Sequence, residues 1–163
     1  MPMYLDPDAL PKGWRAITLA LDDAINKLID KGTVKNFTVE ELKEKYGQIR
    51  LYYDATTDSK EAYDELENVI DDYSYISSYT CASCGAFPVG QIKHGWILPI
   101  CRKCYETNEP IPYDKAVTKP DFCPVRTVKI WKGGSCQTIK YDVSEAMRKV
   151  KEYEEYLRGK VHV

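Results

Sequence analysis

Cys81-Ala82-Ser83-Cys84-Gly85, answered after the stretch through Trp96 by Pro99-Ile100-Cys101-Arg102-Lys103-Cys104, decides how the rest of this chain is read. Two C-x2-C pairs stand sixteen residues apart, the spacing of a zinc finger built from paired knuckles. A zinc ion takes four tetrahedral ligands, each sulfur about 2.3 Å away. A C-x2-C turn presents two thiolates on one side of the backbone, and Gly85 supplies a residue that tolerates positive φ just after the first pair. Val89–Ile92 and Trp96–Leu98 are β-prone and flank a His94-Gly95 turn, so the intervening chain is expected to go out and return as a short hairpin. The segment has few large apolar residues, among them Phe87, Val89, Ile92, Trp96 and Ile100. So small a core does not offset its conformational entropy by burial. One structural Zn2+ on Cys81, Cys84, Cys101 and Cys104 is therefore expected. Four thiolates fill its coordination shell and leave no position for a catalytic water. Redox pairs or plain buried thiols are the alternatives, but a redox C-x2-C ordinarily stands alone. His94 reads as an exposed turn residue, and Cys123 and Cys136 as small buried side chains.

Upstream, Ile17, Ala20, Leu21, Ala24, Ile25, Leu28 and Ile29 recur at helical spacing, with Gly32 just past the end. They predict a helix over residues 15–31, preceded by a turn containing Pro11 and Gly13. Thr38 with Glu41 reads as a capping box, and Val39, Leu42 and Tyr46 as one face of a short helix ended by Gly47. Gln48–Tyr53 alternates apolar and polar and predicts a half-buried strand. Asp58 with Glu61, then Leu66, Val69, Ile70, Tyr73 and Ile76, predict a helix over 59–77 that delivers the chain to the first cysteine. The adjacent acids Asp22-Asp23, Glu40-Glu41 and Asp71-Asp72 read as solvated helix faces, because neighbouring helical positions diverge by about 100° and form no dyad.

Downstream, residues 107–121 hold three prolines and little periodicity and read as a loop. Arg126–Trp131 and Cys136–Tyr141 flank Lys132-Gly133-Gly134-Ser135, a hairpin signal that either extends the first sheet or forms its own. Asp142 with Glu145 opens a last helix over 143–158, its stripe of Val143, Ala146, Met147, Val150, Tyr153 and Leu157 expected to pack on the rest of the chain. The expected fold class is α+β: three main helices around a small antiparallel sheet, with an inserted four-cysteine zinc knuckle. Its parts are an acidic helix-strand-helix region (1–80), the knuckle (81–106), the loop (107–121) and a hairpin with the C-terminal helix (122–163), packed as one compact domain.

The 163 residues carry 23 Lys/Arg against 25 Asp/Glu, a net charge of −2 that argues against a generic nucleic-acid binder. The charge is segregated. Residues 1–80 hold nine basic and sixteen acidic groups, while residues 81–140 hold nine basic and four acidic. Either the two parts face each other, or the basic part is a surface for a phosphate backbone or an acidic partner. Candidate contacts for such a partner are Arg50, Lys93, Trp96, Arg102, Lys103, Lys129, Trp131 and Lys132. A four-thiolate zinc site carries two negative charges, which Lys93, Arg102 and Lys103 offset in part, so local basicity also has a structural reason. Thirteen tyrosines against three phenylalanines point to side chains at core edges and interfaces. Glycine-rich phosphate loops, the G-x-S-x-G elbow and H-E-x-x-H are absent from the sequence. The histidines, His94 and His162, are poorly placed to serve a catalytic cysteine. No apolar run reaches membrane-spanning length and Met1–Asp8 lacks the pattern of a signal peptide, so a cytoplasmic, non-enzymatic chain is expected.

Lys45-Tyr46-Gly47-Gln48-Ile49-Arg50-Leu51-Tyr52-Tyr53, then a helix, then the two cysteine pairs with Gly95-Trp96 between them and Gly13-Trp14 upstream, resembles a family of small phage and prophage proteins. These carry a K-F/Y-G-x-L/I-R-x-Y strand ahead of a zinc knuckle. The resemblance covers roughly residues 11–106 and implies zinc binding and a viral origin, with no established reaction. The filled zinc site, the tyrosine excess and the missing catalytic motifs make the expected function a protein-interaction module, and the viral origin that the resemblance implies suggests a counter-defence inhibitor or adaptor acting on a host protein in the host cytosol. A nucleic-acid-binding zinc protein using residues 81–140 is the alternative.

Overall fold

The computed structural model describes residues 2–106 and 111–161. The first part of the expected 107–121 loop, and His162, lie outside the described residues. The fold is α+β. Three long helices, α1 (Arg15–Asp30), α2 (Lys60–Ser77) and α5 (Ser144–Val161), carry the core, and two short ones, α3 (Arg102–Tyr105) and α4 (Tyr113–Ala116), flank the cysteines. The strands pair as two separate antiparallel hairpins, β1 (Val34–Lys45) with β2 (Gln48–Thr57), and β3 (Val125–Lys132) with β4 (Ser135–Asp142). Each long helix falls where its apolar period places it. Ile17, Leu21 and Ile25 from α1, Leu66, Ile70 and Ile76 from α2, and Ala146 and Val150 from α5 meet in one core with Trp14, Phe37 and Ile49. Ser59 caps α2 by accepting from the Ala62 N–H at 3.1 Å.

The predicted helix over 38–46 is a strand instead. β1 carries irregularities between Val34 and Asn36 and between Val39 and Glu41. Each inserts one extra residue, so the inward-facing Val34, Phe37, Val39 and Leu42 fall at spacings of three, two and three, which imitates a helical period. Their partners on β2, Ala55, Tyr53 and Leu51, keep the strict alternation of an uninterrupted strand. The hairpin turns at Tyr46 and Gly47, both at positive φ (54° and 81°), the geometry of a two-residue type I′ turn.

The second hairpin forms its own sheet and lies on α2. Arg126 donates to the Asp71 carbonyl at 3.3 Å and stacks its guanidinium 4.5 Å from the Tyr75 ring centre, and the Trp131 N–H donates to Asp64 at 2.6 Å. Basic hairpin and acidic helix thus face each other. Two readings of single residues are corrected here. Asp22 and Asp72 are buried, not solvated: Asp22 accepts from the Tyr4 and Leu5 N–H groups at 2.7 and 3.0 Å, and Asp72 receives the Tyr141 hydroxyl. Cys123 and Cys136 are exposed, because one lies in the loop before β3 and the other on the solvent side of β4. Among the described residues no helix is long and apolar enough to cross a membrane.

Candidate metal centre

The knuckle grows directly out of α2. The helix ends in overlapping turns, the Tyr79 N–H donating to the Ile76 carbonyl and the Thr80 N–H to that of Ser77, each at 3.1 Å. The Thr80 carbonyl then accepts from the indole N–H of Trp14 at 2.9 Å, in full burial. The next turn closes on itself: the Cys81 N–H donates to the Ala86 carbonyl at 2.8 Å and the Gly85 N–H to the Cys81 carbonyl at 2.9 Å. Gly85 holds a φ of 85°, as its position after the first pair requires.

Gly13 seats this turn on the main core. Its N–H donates to the Ala82 carbonyl at 2.8 Å, and a Cβ there would lie 2.1 Å from the Cys81 carbonyl oxygen. The second cysteine pair is brought in by backbone bonds from Ala82 to Pro99 (3.1 Å), Ile100 to Gly90 (3.1 Å) and Ile92 to Leu98 (3.0 Å). The expected out-and-back path is present, held by an isolated bridge between Gln91 and Pro99 rather than by regular strands. Residues 116–118 add a third line: Ile92 bridges Val117, and a Cβ on Gly90 would lie 1.6 Å from the Thr118 carbonyl oxygen. The described end of the expected loop is therefore packed. Ala116 and Val117 are buried with Cys81, Val89 and Ile100 in a second small core.

The four sulfurs of Cys81, Cys84, Cys101 and Cys104 all lie within 4.8 Å of one another, with Cys84 and Cys101 at 3.6 Å. A tetrahedron with metal–sulfur bonds of about 2.3 Å has edges of about 3.8 Å, so the cluster is of the size a single ion needs. The Cys101 sulfur accepts from the Cys104 N–H at 3.4 Å. Burial opposes ionisation of Cys81, but the backbone N–H groups of Cys101, Cys84 and Ser83 outweigh it and bring its thiol down to about 7. Burial pushes the Cys84 thiol up and carries Cys104, crowded also by the other sulfurs, to about 12. A cation among the sulfurs would offset the burial that opposes ionisation of Cys84 and Cys104.

The other candidate residues do not converge on one surface. Lys93 and Trp96 stand at the knuckle tip, and Arg102 and Lys103 on α3. Arg102 is engaged by Asp114 at 2.6 Å and lies over the Tyr113 ring. Lys129, Trp131 and Lys132 lie on β3, whose Trp131 touches Asp64 near the start of α2, about 20 Å along that helix from the knuckle. Arg50 sits on β2 opposite Lys43.

Sequence reasoning missed what the β1–β2 turn does. Gly47 abuts the knuckle tip, where a Cβ would lie 2.9 Å from Ile97 Cγ2. Tyr46 and Trp96 each adjoin one residue of that contact in the chain, and Tyr46, Trp96 and Ile97 are 67%, 62% and 41% exposed. Lys45 lies 5.7 Å from the Tyr46 ring centre. The signal was present in Tyr46-Gly47, two residues between runs of alternating character, and was obscured by the bulged β1.

No family model, curated protein or solved structure matches the chain.

Proposed function

We propose that this chain is a non-enzymatic, zinc-binding protein-interaction module that contacts its partner through the tip formed by Tyr46, Trp96 and Ile97. The observation that carries this reading is Tyr46 itself. A bulky residue at positive φ costs about 1–2 kcal/mol, and this one is also left in water. Among the described residues the ring has Lys45 5.7 Å from its centre and is otherwise largely exposed, and a partner's surface would repay the cost. Tyrosine and tryptophan are the residue types that dominate binding hot spots. The zinc assignment is supported by the donor set: four thiolates at tetrahedral spacing suit zinc, or iron as the chief competitor, and leave no open position for chemistry. Its role is to hold the knuckle tip against the β1–β2 turn. The resemblance to small phage proteins makes a host protein the partner to look for, and inhibitor or adaptor the role.

The dispersed basic residues argue against the nucleic-acid alternative, since the Arg102 and Arg126 side chains are already engaged within the fold. The test has two arms. Metal analysis of the purified chain is expected to give one zinc per chain, and iron in its place would overturn the metal assignment. Trp96→Ala with Tyr46→Asn is expected to keep zinc and fold but lose capture of a partner from bacterial lysate. Salt-sensitive retention of DNA or RNA by the unaltered chain, lost in a Lys45→Ala/Lys93→Ala variant, would replace the protein-partner reading.

A further inference from the structure

A second surface reaches the metal centre away from the tip. Between the turn at Lys12–Gly13, the first cysteine knuckle and α5 runs a groove of about 890 Å³. Its floor is aliphatic and aromatic, made by Ala16, Ile76, Phe87, Met147 and Leu157. Its lining follows α5 from Ser144 to Arg158, fourteen steps of 1.5 Å, so it extends about 21 Å. The walls are basic. Lys12, Arg15, Arg148, Lys151 and Arg158 line it against the single acid Glu154. Arg15 and Arg148 are turned to carboxylates of their own, Asp8, Glu145 and Glu152. Lys12 on one wall and Lys151 on the other have no carboxylate at ion-pair distance among the described residues.

Length, floor and walls together define what fits. A helix of about four turns matches the 21 Å run, and its stripe of apolar residues at spacings of three and four would cover the floor. Acidic residues beside that stripe would meet Lys12 and Lys151 across the two walls. We propose that this groove takes an acidic amphipathic helix from a partner protein. Helix-in-groove recognition of this kind draws its affinity from the apolar anchors and its selectivity from the flanking charges. The groove also includes Cys84, the one exposed residue of the four-cysteine cluster. A seated helix covers that sulfur, so occupancy and metal retention are coupled.

The probe is a fluorescein-labelled peptide of about 15 residues with leucines at helical spacing and glutamates flanking them, titrated into the full metal-loaded chain and followed by anisotropy. Saturable binding is expected, weakened about tenfold or more by Lys12→Glu with Lys151→Glu, two exposed changes that leave circular dichroism and metal content unaltered. The same peptide with lysines for glutamates is expected to bind about tenfold less tightly. Bound acidic peptide is expected to slow metal transfer to a chelator. Failure of the acidic peptide to bind, equal binding of both peptides, or indifference to the double variant overturns the proposal. So does displacement of the peptide by a long-chain carboxylate at lower concentration, which would make the groove a lipid site. None of these outcomes involves Tyr46 or Trp96, so the tip and the groove stand or fall separately.

Discussion

Asp72 shows how a single side chain can carry a pH dependence that its sequence position hides. It follows Asp71 on a helix rich in acids, yet it points into the seam where β4 crosses α2. Burial raises its carboxyl to about 7, against the opposing effects of the Tyr141 hydroxyl and the Arg126 charge, with Asp71 adding to the rise. A carboxyl whose folded value lies above its unfolded value near 3.8 binds protons more tightly in the folded state. Its contribution to stability is therefore complete below about pH 4 and is lost as pH climbs through 7. Asp72→Asn removes that loss. Its stability relative to the unaltered chain is expected to rise steadily between pH 4 and pH 7.5 in urea titrations, and a constant difference would refute the assignment. Gly13 makes a second residue-scale case. Alanine there would drive a methyl into the Cys81 and Ala82 carbonyls. Gly13→Ala is expected to cost about 2–3 kcal/mol and to loosen the metal site, read as a lowered thermal midpoint and faster transfer of metal to a chelator.

At the scale of elements, the three long helices were legible because nothing interrupts their apolar period, and the second hairpin because Gly133-Gly134 falls between two β-prone runs. The first hairpin was half legible. β2 alternates cleanly, whereas β1 is bulged twice, and a bulge is a tertiary accommodation that changes spacing without changing composition. The gathering of the cysteine quartet was wholly legible, since two C-x2-C turns at this spacing bring four sulfurs to one place. The clasp of residues 116–118 on the knuckle, the tip beside Gly47 and the groove along α5 were not, because each is made by segments distant in sequence. The turn also yields an element-scale prediction. Asparagine tolerates the left-handed region far better than tyrosine, and Asn-Gly is a favoured type I′ pair. Tyr46→Asn is expected to stabilise the chain by about 0.5–1 kcal/mol in denaturant titration while abolishing partner capture. Destabilisation would mean that the tyrosine serves the fold.

For the whole molecule, the uneven charge resolves into an acidic α2 covered by a basic hairpin. The two cores differ in self-sufficiency. The large one joins three helices and β1–β2, whereas the small one, among the described residues, buries Cys81, Val89, Ile100, Ala116 and Val117. Such a core is small for the chain it must order, and a structural zinc in small finger peptides contributes on the order of 10–16 kcal/mol. Cys84→Ser is expected to release the metal and to expose the amides of residues 79–100 and 111–118 to hydrogen exchange, while α1 and α5 keep most of their protection. Full protection of the knuckle without metal would show that packing alone suffices. Metal affinity is expected to fall as the medium is acidified, because Cys84 and Cys104 must surrender protons that burial holds on them.

The bond from Trp14 to Thr80 spans 66 residues of chain. A ribosome adding about 5–20 residues per second takes about 3–13 s to cover that distance. For that interval the Trp14 side chain, at the entry to α1, is without the carbonyl that its indole N–H meets in the fold. Docking of the Trp14 turn therefore waits until α2 and the residues just past its end have been made, so the start of the chain is fixed in place by its middle.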